Sequence, residues 1–165
     1  MTTRWRRVVA AMLASLVAAS LAGCTTSSSG SRHKLYNSTD ALVLDSTDIV
    51  VGTVQGSGVD GDATVATVEV ENTPTNPSLG SNVDADAGTI EVGDVIEVRQ
   101  QIDEKLATGT QYLLYLTPTM LSGDAADQYY ITGAEAGMYA RDGDVFRRVV
   151  RDSGDTLPET ISISE

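Results

Sequence analysis

The sequence predicts a small all-β domain with one short helix at its N-terminal end. From residue 48 onward, runs of β-branched and aromatic residues recur, and several alternate with polar residues, as strands with one solvent-exposed face do. Turns rich in Gly, Asp, Asn and Pro separate the runs, a pattern typical of a closed barrel or a sandwich. At 165 residues, the chain has room for one domain beside a signal and a tether.

The helix is predicted from residues that cap helices. Asn37-Ser38-Thr39-Asp40 precedes the apolar run Ala41-Leu42-Val43-Leu44. Side chains of Ser, Thr, Asp and Asn accept hydrogen bonds from the unpaired N–H groups of a first helical turn. We therefore expect a short helix at about residues 39–46.

The first strands are predicted from β-branched residues. Residues 49–54 form a continuous run of this kind, whereas residues 66–71 and 96–99 alternate apolar and polar side chains. Residues 55–62 are rich in Gly and Asp and are predicted as a turn. The longest predicted loop is residues 72–88, and a loop of about this length is often functional.

The strand at residues 112–116 is predicted to be the most buried, because its sequence Tyr-Leu-Leu-Tyr-Leu is apolar on both faces. Pro118 is expected to end it. Asp142-Gly143-Asp144 marks a hairpin between two later strands. The remaining strands are predicted at residues 128–132, 138–141, 145–149 and 160–164.

Residues 1–23 have the organisation of a secretory signal peptide. Arg4, Arg6 and Arg7 form a basic start, and residues 8–22 carry no charge. A membrane-spanning helix needs about 20 apolar residues, so this run is short for a span and ends in small residues instead. We expect it to direct export and then to be removed.

The signal segment closes on Leu21-Ala22-Gly23-Cys24, which resembles the lipobox of bacterial lipoprotein precursors at every position. The resemblance implies cleavage between Gly23 and Cys24, a diacylglycerol on the Cys24 thiol, and a fatty acyl chain such as palmitate on the new amine. It also implies a location at the extracytoplasmic face of the cell membrane. The alternative from the residues alone is a buried cysteine at the end of an uncleaved anchor.

Residues 24–37 are predicted as a flexible tether, since residues 25–31 contain only Thr, Ser and Gly. Arg32, His33 and Lys34 form a small basic cluster beyond them. Residues 38–165 form the predicted barrel domain. His33 is the one histidine of the chain, and we expect it to belong to the tether rather than to a metal site.

The formal net charge of the chain is −12. Without the first 23 residues, the chain keeps 8 Lys and Arg against 23 Asp and Glu, which gives −15. Phosphates repel a body this acidic, so the charge argues against nucleic-acid binding. It suits a soluble surface, and it attracts cations or a basic partner.

Residues 40–150 resemble a known type of barrel. The pattern consists of a short helix, residues 47–54, Gly93-Asp94-Val95-Ile96-Glu97-Val98, residues 106–118, and Gly133 and Gly137 before the Asp142-Gly143 turn. It is similar to the OB-like Greek-key barrels of secreted bacterial proteins that belong with the netrin and metalloproteinase-inhibitor (TIMP) module. The inhibitory chemistry does not carry over. It requires a free N-terminal cysteine pinned by disulfides, whereas Cys24 is the sole cysteine and is expected to be lipidated.

No catalytic constellation stands out, so we expect the protein not to be an enzyme. Closely spaced carboxylates are frequent in a chain with 23 acids. Asp84 and Asp86 faintly resemble a calcium loop, although the glycine is displaced and no glutamate closes the pattern. Arg147 and Arg148 should face opposite sides of a strand, as surface residues in ion pairs. The tyrosines beyond residue 100 are interpreted as packing residues.

The functional expectation is therefore a lipid-anchored envelope protein. Its non-catalytic barrel would bind an unidentified protein partner through one face or through the loop at residues 72–88. Two alternatives stay open from the sequence. One is an envelope lipoprotein that binds a small ligand or Ca²⁺, with acidic loops or the tyrosine face as the site and with Asp84 and Asp86 as the candidate Ca²⁺ residues. The other is a protein that resembles a protease inhibitor.

Overall fold

The computed structural model describes residues 34–74, 90–101 and 105–163. The signal peptide, the lipobox with Cys24, and the candidate calcium residues Asp84 and Asp86 all lie outside these ranges. In chain order, the described elements are α1 (Thr39–Leu44), β1 (Asp48–Asp60), β2 (Ala63–Asn72), β3 (Val95–Gln100), β4 (Gln111–Pro118), a 3₁₀ turn (Gly123–Ala125), β5 (Gln128–Ile131), β6 (Met138–Asp142), β7 (Val145–Arg148) and β8 (Thr160–Ile161).

Five strands close into a barrel in the order β1-β2-β3-β5-β4, with β4 pairing back onto β1. The β3–β5 pair is parallel, and the other four pairs of the barrel are antiparallel. A closed sheet leaves no unpaired edge around the ring. The prediction of an all-β barrel with one short helix is confirmed, and the closed barrel is compatible with an OB-like fold.

Strands β6, β7 and β8 form an antiparallel extension outside the ring. β6 pairs with the first half of β4, where Leu113 lies opposite Tyr139. The β6–β7 hairpin turns at Gly143 and Asp144, and Gly143 has a φ of 63°. A positive φ at the first central residue alone is the pattern of a type II′ turn, so the predicted hairpin is confirmed. β8 is shorter than predicted, with Thr160 and Ile161 only.

The described apolar side chains form two cores. The first fills the barrel, and its buried members are Val50, Val54, Ala66, Val68, Val70, Ile90, Ile96, Val98, Leu106, Tyr112, Leu114, Leu116, Ile131 and Met138. The second, called here the outer core, lies between the barrel wall, α1 and the β6–β8 extension. Its buried members are Tyr36, Leu42, Val43, Val51, Leu113, Tyr115, Ala136, Tyr139, Phe146 and Leu157.

β4 contributes to both cores, because alternate side chains of a strand point to opposite faces. Leu114 and Leu116 point into the barrel, while Leu113 and Tyr115 point into the outer core. All four are at most 1% exposed. The prediction that this strand is the most deeply buried is therefore confirmed.

The helix α1 forms where the capping residues predict it. The Ser38 Oγ accepts a hydrogen bond from Ala41 N at 3.2 Å, which satisfies one of the free donors of the first turn. The helix is two residues shorter than expected. It ends at Leu44, and Ser46 Oγ donates to Leu42 O at 2.7 Å and so occupies one of its last carbonyls. Within the described ranges, no helix has the length and apolar character needed to cross a membrane.

The prediction of a turn across residues 55–62 is wrong. β1 continues to Asp60, and the turn consists of Gly61 and Asp62. A register shift between Val54 and Gly56 absorbs one extra residue, after which β1 pairs with β2 residue by residue. Gly56 and Gly58 remain extended in this second half of β1 because pairing with β2 satisfies their backbone groups.

Candidate functional site

A cleft of about 520 Å³ opens in the outer wall of the barrel beside β3. In the parallel β3–β5 pair, residues 97–99 of β3 lie beside residues 128–130 of β5. The first two residues of β3, Val95 and Ile96, therefore extend beyond the paired region. The cleft lies there, between the start of β3 and the β4–β5 connection. It is lined by Thr67, Ile90, Asp94, Val95, Ile96, Glu97, Asp124, Asp127 and Tyr129, and is called here the acidic cleft.

The β3 wall of the acidic cleft follows from strand alternation. Ile96 and Val98 are buried among the barrel residues, so Val95 and Glu97 lie on the outer face. Gln128 Nε2 donates to Glu97 Oε2 at 2.9 Å, which fixes one oxygen of this carboxylate. Arg99 Nη1 in turn donates to Gln128 Oε1 at 3.2 Å. Glu97 is thus held in position by a chain of hydrogen bonds along the wall.

Asp94 sits on the turn that leads into β3. Its backbone N–H donates to Glu91 O at 3.2 Å, and its side chain accepts from Glu91 N at 2.8 Å. Gly93, with a φ of 95°, supplies the left-handed conformation that this turn requires. The turn places Asp94 at the mouth of the acidic cleft.

The opposite wall is the β4–β5 connection, residues 119–127. Thr119 Oγ1 donates to Ala125 O at 2.6 Å, and Thr119 N donates to Gln128 O at 3.0 Å. These two bonds hold the end of the connection next to Thr119, the residue at which it begins. Its short 3₁₀ turn presents Asp124, and Asp127 follows just before β5.

Four carboxylates line the acidic cleft, and no Lys, Arg or His is among its described lining residues. Among the described residues, the recorded ion pairs involve Asp45, Asp60 and Asp142, and none involves a carboxylate of the acidic cleft. The uncompensated charges give this wall a negative potential, which attracts cations and repels polyanions. Four carboxylates at one opening argue further against nucleic acid.

Exposed apolar side chains accompany these charges. Val92 and Val95 are 61% and 63% exposed on the β3 side. Met120 and Leu121, on the β4–β5 connection, are 90% and 43% exposed. Met120 also has a φ of 58°, a left-handed conformation that costs a residue other than glycine free energy. Val95 lines the acidic cleft, and the segments that form its two walls carry these further apolar side chains in water, as interaction surfaces do.

The acidic cleft lies opposite the point at which the described chain begins. Tyr36 packs in the outer core, which covers the seam between β1 and β4. Its N–H donates to Asp155 Oδ1 at 2.7 Å and its hydroxyl donates to Asp45 Oδ2 at 2.8 Å. In the ring β1-β2-β3-β5-β4, β3 is two strands away from both β1 and β4. The chain thus enters the barrel on one side, and the acidic cleft faces the other.

Most of the site residues that the sequence predicted are outside the part of the chain that the structure describes. Gly23, Cys24, His33, Asp84 and Asp86 lie outside the described residues. Within the described ranges, no group of three or more His, Cys, Asp or Glu side chains is arranged to hold a metal ion.

The tyrosines mostly pack, as the sequence analysis expected. Tyr112, Tyr115 and Tyr139 are buried, and of the tyrosines singled out only Tyr129 lines the acidic cleft. Arg147 pairs with Asp142 at 2.7 Å on the surface. The expectation for Arg148 is wrong, because Arg148 is 6% exposed and donates to the carbonyls of Arg151 and Asp155. It holds the segment after β7 in place.

The carboxylates of the acidic cleft were missed by sequence reasoning. Strand alternation in residues 95–98 does predict that Val95 and Glu97 share one face, and the charge of Glu97 indicates that this face is the outer one. No local pattern shows that Asp124 and Asp127 lie against them. That contact depends on the parallel β3–β5 pairing, which joins residues about thirty positions apart. Comparisons with protein-family models and with curated proteins found no match to this sequence.

Proposed function

We propose that this protein is a lipid-anchored protein of the extracytoplasmic face of the cell membrane, whose barrel is a non-catalytic module that binds a protein partner. The acidic cleft is the observation that carries the binding part of the proposal. The lipobox Leu21-Ala22-Gly23-Cys24 carries the anchoring part.

The anchor follows from the order of segments in the sequence. A basic start, an uncharged run of fifteen residues and the lipobox precede a segment of Thr, Ser and Gly. Each buried CH₂ of an acyl chain contributes about 0.8 kcal/mol to membrane binding, so two or more chains give a stable anchor. Lipid on Cys24 would hold the acidic body outside the cell while the tether separates it from the lipid headgroups.

The position of the acidic cleft suits display to a partner. Tyr36, from which the chain leads back toward Cys24, is on the β1–β4 side of the barrel. The acidic cleft opens on the β3 side. A domain held at its β1–β4 side presents its β3 side to molecules beyond the membrane. The four carboxylates of the acidic cleft then lie away from anionic lipids.

The composition of the acidic cleft favours binding by contact. A volume of about 520 Å³ lies within the range of binding clefts. Its residues offer charge on both walls and apolar surface from Val95 and Tyr129. Interfaces with proteins combine an apolar centre with a polar rim in this way.

Site-specific photocrosslinking in intact bacterial cells tests the binding part. A photoreactive residue replaces Val95 or Asp124, which line the two walls of the acidic cleft. The matched control replaces Leu44, which is 72% exposed on α1 and lies on the opposite side. We expect the two cleft positions to crosslink to the same protein and position 44 not to. Equal crosslinking from all three positions, or none from the cleft, would contradict the proposal.

Membrane fractionation of the Cys24→Ser variant tests the anchoring part. Serine offers no thiol to which the diacylglycerol can attach. We expect the native protein in the membrane fraction and resistant to salt extraction. The variant should lose this lipid-dependent attachment. A native protein that is extracted by salt alone would show that it carries no lipid anchor.

A further inference from the structure

We infer that the acidic cleft binds a basic, extended segment of the partner, in which Lys or Arg side chains alternate with apolar ones. This inference rests on the proposed function, because it specifies the chemistry of the partner that the barrel binds.

Carboxylates line both walls of the acidic cleft. Asp94 and Glu97 lie on the β3 wall, and Asp124 and Asp127 lie on the other. A basic side chain between the walls therefore meets carboxylates from two directions. Lys and Arg carry their charge on long stems, so several such side chains reach separate carboxylates from one backbone. An opposite charge on a partner also raises the rate of association.

Apolar side chains also line the acidic cleft. Ile90 and Ile96 are at most 9% exposed and form part of the floor, while Val95 stands 63% exposed at the rim. Tyr129 adds a partly buried ring that packs against the barrel core. A purely cationic ligand would leave this surface in water. A segment with alternating side chains presents apolar groups to one face and charged groups to the other.

The arrangement fits a chain better than a single metal ion. A calcium ion needs six to eight oxygens at about 2.3–2.6 Å around one point. In the described part of the chain, the carboxylates of the acidic cleft do not converge into such a group. They are instead spread along two walls of a cleft of about 520 Å³. Spread charges of one sign suit a ligand that carries several opposite charges along its length.

Fluorescence anisotropy with defined peptides tests this inference on the lipidated protein purified from membranes in detergent micelles. The probe is a labelled ten-residue peptide that alternates Lys and Val. The control peptide alternates Glu and Val, so it keeps the length and the apolar content. We expect the Lys peptide to bind and the Glu peptide not to. The affinity for the Lys peptide should fall with rising salt, since ions screen exposed charges.

The variant Asp124→Asn/Asp127→Asn tests whether the acidic cleft is the binding site. Both residues are exposed and neither forms an ion pair in the described part of the chain, so we expect the variant to fold. We expect the dissociation constant of the Lys peptide to rise about threefold to tenfold, the effect of losing one or two exposed charge pairs. The matched control is Asp144→Asn/Asp152→Asn, which removes two exposed carboxylates elsewhere and should leave the affinity within about twofold.

A second variant, Val95→Ser, keeps the charge and removes an exposed apolar group. We expect it to weaken binding of the Lys peptide as well, and circular dichroism verifies the fold of each variant. Three results would overturn the inference. They are no binding of the Lys peptide, equal binding of the Glu peptide, and the same loss of affinity in both aspartate pairs. If the peptide fails while Val95 still crosslinks to a protein in cells, the proposed function stands and only this inference falls.

Discussion

Arg99 Nη1 donates to Asp60 Oδ2 at 2.5 Å, and this bond joins the tip of the β1–β2 hairpin to β3. Arg99 Nη2 also donates to the backbone carbonyl of Asp60 at 3.1 Å. The carboxylate of Asp60 raises the pKa of the Arg99 guanidinium above its ordinary value. Because Arg99 is also bonded to Gln128, which holds Glu97, the pair supports the wall of the acidic cleft.

Asp60→Ala should destabilise the protein by about 1 kcal/mol. The side chain of Arg99 is 10% exposed and would lose its charged acceptor, whereas that of Asp60 is 62% exposed, so solvent reduces the effect. Urea unfolding followed by circular dichroism measures it. Asp142→Ala is the matched control, because the Asp142–Arg147 pair is 58% and 40% exposed. Its cost should stay below about 0.5 kcal/mol. If Asp142→Ala loses more free energy of unfolding than Asp60→Ala, burial of the arginine does not determine how much the ion pair stabilises the protein.

Tyr115→Phe should leave the free energy of unfolding unchanged or raise it by about 1 kcal/mol. The Tyr115 hydroxyl is buried in the outer core and has no hydrogen-bond partner there. Removing it abolishes the cost of taking that group out of water. Tyr139→Phe is the comparison, since the Tyr139 hydroxyl donates to Pro158 O at 3.3 Å. This variant should lose stability by about 0.5–1 kcal/mol. If Tyr115→Phe lowers the free energy of unfolding more than Tyr139→Phe does, the Tyr115 hydroxyl forms a stabilising hydrogen bond and this account of it is wrong.

The same tyrosines predict a loss of stability at alkaline pH. Burial raises the pKa of Tyr139 to about 12 and raises that of Tyr115 further, from an ordinary value of 10. Above pH 10, the unfolded chain releases phenolic protons that the folded protein retains. The stabilisation is therefore complete below pH 10 and is lost as the pH rises through the folded pKa values.

Urea unfolding at a series of alkaline pH values measures this loss. The double variant Tyr115→Phe/Tyr139→Phe should lose less stability than the native protein over the same pH range. Tyr129→Phe/Tyr130→Phe removes two partly exposed phenols and serves as the control. If the free energy of unfolding falls with pH equally in the native protein and in Tyr115→Phe/Tyr139→Phe, these two tyrosines do not cause the alkaline loss of stability.

Gly52→Ala should destabilise the barrel by about 2 kcal/mol. A Cβ at this position would lie 2.5 Å from Glu69 O and 2.7 Å from Val68 Cγ1, and a backbone carbonyl in a sheet cannot easily move. Gly56→Ala is the control in the same strand, because a Cβ there has nothing within 4 Å. It should be neutral or slightly stabilising, since alanine restricts the unfolded chain. Thermal unfolding compares the two, and equal midpoints would contradict the close approach of β1 and β2.

Local chemistry accounts for most of the fold that the sequence predicted. The cap at Ser38, the alternation in β2 and β3, and the two-sided apolar run in β4 each act within a few residues. The extension of β1 through Gly56 and Gly58 was not predictable in this way. Glycine favours turns on its own, and only pairing with β2 keeps these residues extended.

The acidic cleft and the position of Arg148 depend on contacts distant in sequence. Asp124 and Val95 line the same cleft only because β5 adds in parallel to β3. Arg148 is buried because the segment after β7 folds over it and offers its carbonyls. Spacing along a strand predicts which face a side chain takes, but it does not predict what covers that face.

Mass spectrometry of the native protein purified from bacterial membranes tests the central claim most directly. The account predicts a chain that begins at Cys24 and carries a diacylglycerol on its thiol, with a fatty acyl chain on its amine. An uncut chain that begins at Met1, with an unmodified thiol at Cys24, would contradict it.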